Sequence, residues 1–247
     1  DAKPLSEAQF LAEAPLLRNL QKRAEGATSL KEWAIARIQA AIYMARTSRV
    51  DEAGAIAKDI RSRFRGNEDA EIYIWLWILD GVLGYYQNGL SGCQVFLARA
   101  LIVAKGIQRD DLFEYASAWS GHLAYIANDY QAMTCSLLDA QLDRAKIADA
   151  ACRAALTVAV SWQLCGETEV AAKWFARGRD IARSIGDRAS IMASIENRAF
   201  VWLDRVWVES CWQAPNIGTL NQIELELQSG LAYEHVTSSK TLIEQGL

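Results

Sequence analysis

The sequence predicts an all-α chain of about five stacked helical hairpins, and three observations predict it. A short motif returns about every forty residues: Ser48-Arg49-Val50-Asp51-Glu52-Ala53, Asn88-Gly89-Leu90-Ser91-Gly92-Cys93, Asn128-Asp129-Tyr130-Gln131-Ala132-Met133 and Gly166-Glu167-Thr168-Glu169-Val170-Ala171. A fixed period in this range marks stacked repeats, because a single helical hairpin cannot bury its apolar face alone. Alanine is abundant and only three prolines occur, Pro4, Pro15 and Pro215. Alanine is the best helix former and proline breaks helix interiors. Finally, 51% of the 247 residues are apolar, enough to bury a sizeable core.

The elements follow from the turn signals. Helices are predicted over 6–24 (bent or split at Pro15), 29–47, 51–64, 69–87, 90–105, 110–127, 130–144, 147–165, 168–185, 188–205 and 220–236. They are separated at Gly26, Arg65-Gly66-Asn67, Asn88-Gly89, Asn128-Asp129, Gly166 and Gly186-Asp187. Glycine and asparagine just past a helix take the left-handed conformation that ends it. Asp51, Ser91, Thr168 and Asp111 are candidate N-caps. The pattern fails over 206–219. Val206-Trp207-Val208 stands where a fifth turn is due, and the loop Ala214-Pro215-Asn216-Ile217-Gly218 follows. Trp202, Trp207 and Trp212 cluster there, either plugging the last groove or packing on a neighbour. One elongated domain, 1–247, accounts for this: an N-terminal helix or half repeat (1–28), regular repeats (29–205) and an irregular C-terminal part (206–247).

Composition excludes several functions. The net charge is −4 with no basic run, where a phosphate backbone would want a basic stripe, so no nucleic acid is expected as partner. No apolar stretch reaches spanning length, since Asp80 and Gly81 interrupt the most hydrophobic run, Ile72 to Leu83. The five cysteines (Cys93, Cys135, Cys152, Cys165, Cys211) stand singly, without metal or redox spacing, and are expected to be buried and reduced. A cytoplasmic location follows from that. A periplasmic one follows instead if Asp1 is a processed N-terminus. Asp1 and the helix-like end Lys240 to Leu247 suggest a fragment of a longer repeat protein.

The pattern resembles the tetratricopeptide repeat in a longer variant of about forty residues per hairpin. That family wants a small residue where the first helix meets the second, and Ala41, Gly81, Gly121 and Ala159 stand there, spaced 40, 40 and 38. Its small residue early in the second helix maps to Ala53, Cys93 and Ala171, with Met133 departing. Its large apolar position maps to Leu97, Leu137 and Phe175, with Ala57 departing. The next small position maps to Ala100, Ala140 and Gly178, with Ile60 departing, and no repeat ends in the family's proline. The likeness covers roughly 30–205 and implies a right-handed α-α superhelix (solenoid) whose first helices line a concave groove.

Groove positions spaced i, i+3, i+7, i+10 and i+11 share one helical face. They select Trp75, Ile78, Val82, Tyr85 and Tyr86, then Tyr115, Ala118, His122, Tyr125 and Ile126, then Arg153, Leu156, Val160, Gln163 and Leu164. Arg46 ends the matching face of the first hairpin, and Glu196 belongs to that of the fifth. Tyrosine gives large contact area and a hydroxyl at low entropic cost, so this face suits a protein or peptide partner, or a partner helix. Packing of the same face into the core, or against a second copy in a homodimer, is the alternative. The leading expectation is a non-catalytic interaction scaffold without cofactor. Aromatic anchors Trp75, Tyr85, Tyr86, Tyr115 and Tyr125 would supply affinity, and Arg46, His122, Arg153 and Gln163 orientation.

Two alternatives stand beside it. Repeats of this kind sit in bacterial signalling and transcription proteins, where the same face would take a small effector between Tyr115 and Tyr125; this rests on fold analogy. Asp110-Asp111-Leu112-Phe113-Glu114 also looks like the magnesium motif of terpene synthases, which suggests a Mg²⁺-dependent helical enzyme. Here the acids fall at a helix start, where they meet the helix dipole, and Asn128-Asp129 does not complete the second motif. His122 and His235 have no metal-ligand spacing, and nucleotide-loop, nucleophile-elbow and zinc-protease motifs are missing.

Overall fold

A computed structural model describes residues 14–66, 69–140, 145–212, 214 and 216–237. The start of the expected first helix, Asn67, the end of the 130–144 helix, Pro215 and Lys240 to Leu247 lie outside the described residues. Eleven α-helices and no strand occur among those described: α1 (Pro15–Glu25), α2 (Leu30–Arg46), α3 (Val50–Arg63), α4 (Ala70–Asn88), α5 (Cys93–Gly106), α6 (Asp110–Ile126), α7 (Tyr130–Asp139), α8 (Ala148–Leu164), α9 (Thr168–Ile185), α10 (Arg188–Ser210) and α11 (Ile217–Thr237). The protein is all-α.

The recurring motif is a turn with a fixed backbone conformation. Ser48, Gly89, Asn128 and Gly166 all have positive φ, and each sits between the two helices of a hairpin. One such residue reverses the chain at three of these turns, and Gly92 adds a second at the turn after α4, which is why small or amide residues recur there. The same geometry moves the caps. Asp51, Thr168 and Asp111 fall inside the first helical turn and Ser91 precedes Gly92, so none of the four is an N-cap. Ser29, Asp69, Asp129 and Asp187 cap instead, each accepting a backbone N–H two or three residues on. The expected break at Val206-Trp207-Val208 is not a turn either. No Gly, Pro or Asn interrupts this segment, and α10 runs on through it to Ser210.

Each hairpin packs internally: α2 on α3, α4 on α5, α6 on α7, α8 on α9, α10 on α11. The first helices also meet in sequence, α2 with α4, α4 with α6, α6 with α8 and α8 with α10. Small residues stand at the crossings. A Cβ on Gly81 would meet Leu97 at 2.9 Å, and one on Gly121 would meet Leu137 at 3.3 Å. Ala41 and Ala159 are fully buried. One apolar core runs from α1 into α8 and a second joins α8, α9 and α10, with Tyr125 and Trp174 packed against both.

The chain also closes on itself. Leu16 donates its N–H to the Gly186 carbonyl at 3.3 Å, so α1 docks on the turn between α9 and α10. Arg46, at the end of α2, reaches Asp149 at the start of α8 and Asp187 at the cap of α10. These contacts span 103 and 141 residues of sequence.

Candidate functional site

The face chosen from the helical spacing does lie together, but most of it is filled. Trp75, Ile78, Val82, Tyr115, Ala118, Leu156, Val160, Arg153 and Gln163 are buried. Tyr85, His122 and Tyr125 are half-buried, Glu196 is half-buried on α10, and only Tyr86, Ile126 and Leu164 are exposed. The first hairpin meets the fourth and fifth through Arg46 with Asp149 and Asp187, and this face packs inside. Trp75 packs edge-on to Tyr115 at 5.6 Å, and Tyr85 and Trp119 pack edge-on to His122 at 5.9 and 5.8 Å. As an open aromatic groove, this face therefore needs correction.

Arg46 is not available to a ligand. Its side chain is 3% exposed and its guanidinium is spent on Asp149 (Nη1 to Oδ1, 2.9 Å), Asp187 (Nη1 to Oδ2, 2.9 Å; Nη2 to Oδ1, 3.3 Å) and the Ser190 hydroxyl oxygen. Asp187 also accepts from the Ser190 N–H at 2.9 Å and hydroxyl at 2.7 Å, while Tyr115 donates its hydroxyl to Asp149. Burial alone would raise the Asp187 carboxyl; the Arg46 guanidinium and the Ser190 donors outweigh it and hold it below the usual range. Asp149, Asp187 and Ser190 had no local signal in the sequence, because their partner is more than a hundred residues away.

Arg153 is different. It is 6% exposed and lies over the Trp119 ring at 4.2 Å. Its Nε has no acceptor, and no carboxylate meets its guanidinium among the described residues. Burying an uncompensated cation is costly, so this side chain stands out from the rest of the core. Gln163 donates Nε2 to the Arg198 carbonyl at 3.1 Å and leaves Oε1 without a donor.

His122 is held neutral. Burial, then the Arg153 and Arg46 charges, push its pKa well below the ordinary 6.5. Its folded pKa lies below its unfolded one, so its contribution is complete above about pH 6.5 and is lost as the pH falls below that, when only the unfolded chain takes up the proton. Between pH 7.5 and 5.5, wild type is expected to lose up to about 1.4 kcal/mol per pH unit below 6.5 beyond any loss in His122→Gln. Urea unfolding at the two pH values measures the difference; parallel losses would show that His122 takes up its proton in the folded state.

The acidic motif does not assemble a metal centre. Arg109 forks onto Asp111 (2.9 and 2.8 Å), and Glu114 is buried and accepts from the Lys146 N–H at 3.4 Å. Among the described residues no three His, Cys, Asp or Glu side chains converge on a metal position. The cysteines divide: Cys93 and Cys152 are buried, but Cys135 in mid-α7 and Cys165 and Cys211 at helix ends are exposed, contrary to the expectation of uniform burial. No helix among the described residues is long and apolar enough to cross a membrane.

The C-terminal end carries what the inner face does not. A cleft of about 420 Å³ lies between the end of α8, the start of α9 and the second half of α10, with Leu164, Val201, Trp202 and Val208 as its apolar walls. Trp207 and Trp212 are 74% and 81% exposed, and Val208 and Ile217 are exposed as well. A second cleft of about 350 Å³ opens between α9, α10 and α11. Arg179 and Arg183, four apart on one face of α9, were the available sequence signal for it.

No protein-family model, curated protein or solved structure matches the chain.

Proposed function

We propose that this chain is a non-catalytic protein-interaction domain, a right-handed superhelix of tetratricopeptide-like hairpins, that binds a partner helix at its C-terminal end. One observation carries the reading. Helix α10 has 23 residues against 17 in α8, so it overhangs its neighbour by about 9 Å at 1.5 Å per residue. The overhang bears Trp207 and Val208 in the open and borders the apolar cleft. Exposed tryptophans beside such a cleft are typical binding anchors. A helix laid there would continue the packing of first helix on first helix that runs through the chain. The fold reading is supported by that packing and by small residues at the crossings of α4 with α5 and α6 with α7.

The test is Trp207→Ser with Trp212→Ser. A photocrosslinker placed at position 207 identifies the bound chain, which is then purified and titrated against both forms. Loss of about tenfold or more in affinity at unchanged helicity is expected. Equal affinity would remove this face as the site, and self-association of the wild type lost in the variant would assign it to a second copy.

Arg153 favours a second reading, a sensor domain whose inner face holds a small anionic effector against Arg153, His122 and Tyr85. Native mass spectrometry of the purified protein should then find a small-molecule adduct that is lost in Arg153→Gln. An adduct-free wild type would leave Arg153 a structural residue stacked on Trp119.

A further inference from the structure

Among the described residues, the cleft between α9, α10 and α11 is lined by more positive than negative charge. Arg179, Arg183 and Arg198 line it, with Glu226 the single carboxylate among the described lining residues. Glu226 is shared: Oε1 takes Arg198 Nη1 at 2.7 Å and Oε2 takes Arg179 Nη1 at 3.5 Å. Arg183 pairs at 3.2 Å with Asp180, but both side chains are exposed and Asp180 is not part of the lining. Such exposed pairs are weak and screened by salt. Among the described lining residues two positive charges therefore remain over, beside walls that include Ile191, Ile195 and Trp202. Burial lowers the basicity of Arg198, and the neighbouring Arg179 lowers it further against the pull of Glu226. The Arg198 guanidinium is also fixed in place, lying over the Trp202 ring at 4.4 Å.

We propose that this cleft binds a small molecule carrying a doubly charged oxyanion on an apolar body, a phosphate monoester being the simplest form. Guanidinium forks match two oxygens of a phosphate at once, and a dianion neutralises the excess left after Glu226. Ile191 and Ile195 offer the apolar body a wall. A cleft of about 350 Å³ is within the range of small-ligand sites. The site is separate from the proposed partner face, although Trp202 borders both clefts.

Phenyl phosphate is the probe, titrated calorimetrically into the full chain in a phosphate-free chloride buffer, with phenol and inorganic phosphate as parallel arms. Saturable binding with a Kd of about 10⁻⁴ M or tighter is expected for phenyl phosphate, weaker binding for phosphate, and none for phenol. Arg198→Gln should weaken it by about tenfold or more. Arg183→Gln leaves the Glu226–Arg198–Trp202 arrangement intact and should still weaken it several-fold, which keeps the test decisive if the Arg198 variant misfolds. Lys58→Gln removes an exposed charge on α3 and should change nothing. No binding up to about 10 mM, or equal binding by wild type and Arg183→Gln, would overturn the site. Equal affinity for phosphate and phenyl phosphate would overturn the apolar body.

Discussion

Replacing Arg46 by methionine is expected to destabilise the protein by about 3–5 kcal/mol, far more than any surface substitution. The cation sits at the meeting point of α2, α8 and α10, where it faces two carboxylates and almost no solvent. Removing it leaves half-buried Asp149, which keeps the Tyr115 hydroxyl, and fully buried Asp187 without their shared counter-charge. Asp187, fully buried, keeps only its cap hydrogen bonds to Ser190. Methionine preserves the length and apolar stem of the side chain, so the loss reports charge rather than volume. Guanidinium-induced unfolding measures it. A loss within about 1 kcal/mol would mean that water and relaxation compensate the acids, and that closure between the first and last hairpins is incidental. Adding Asp187→Asn to Arg46→Met should recover part of the loss, because one of the two stranded charges is gone.

The same cluster sets an acid limit. The Asp187 carboxyl titrates below its ordinary 3.8 in the folded chain. Its contribution is therefore present above pH 3.8 and is lost as the pH falls through the lower, folded value.

The sequence and the structure agree where the physics is local and part where it is not. Four of the five hairpins were legible because each carries its own turn residue: Ser48, Gly89, Asn128 and Gly166 adopt the left-handed backbone that glycine and asparagine tolerate best. Helical spacing likewise put Trp75, Ile78, Val82, Tyr115 and Arg153 on one shared face, read as a groove, and all five are buried. What spacing cannot give is whether that interior is open. Openness depends on contacts between helices far apart in sequence, such as Arg46 with Asp187, 141 residues apart. Asp187 stood in the sequence only as part of a turn; in the structure it caps α10, and its second role needs the partner helix in place. The end of α10 was misread for a related reason. The period called for a turn, but Val206 to Ser210 contains no residue that stops a helix, and local chemistry prevailed.

Gly186→Ala is expected to cost about 3 kcal/mol, and Gly166→Ala about 1–2 kcal/mol, although both glycines have left-handed backbones. Their φ angles are +75° and +84°, so an L side chain is strained by about the same amount at either. Their surroundings differ. Nothing lies within 4 Å of a Cβ on Gly166, whereas one on Gly186 would stand 2.7 Å from Pro15 Cβ and 3.1 Å from the Leu16 nitrogen. The second contact is with backbone, which cannot rotate away. Helix α1 must therefore back off, weakening the bond from Leu16 to the Gly186 carbonyl and the burial of Leu17 and Leu20. The difference between the two variants measures what the docking of α1 contributes, with the shared backbone strain cancelled. Pro15→Gly in the Gly186→Ala background removes the closer contact and should return part of that difference, read as a coupling in a double-mutant cycle. Equal losses at Gly186 and Gly166 would mean that α1 rests on the turn without stabilising it, and that closure depends on the Arg46 cluster alone.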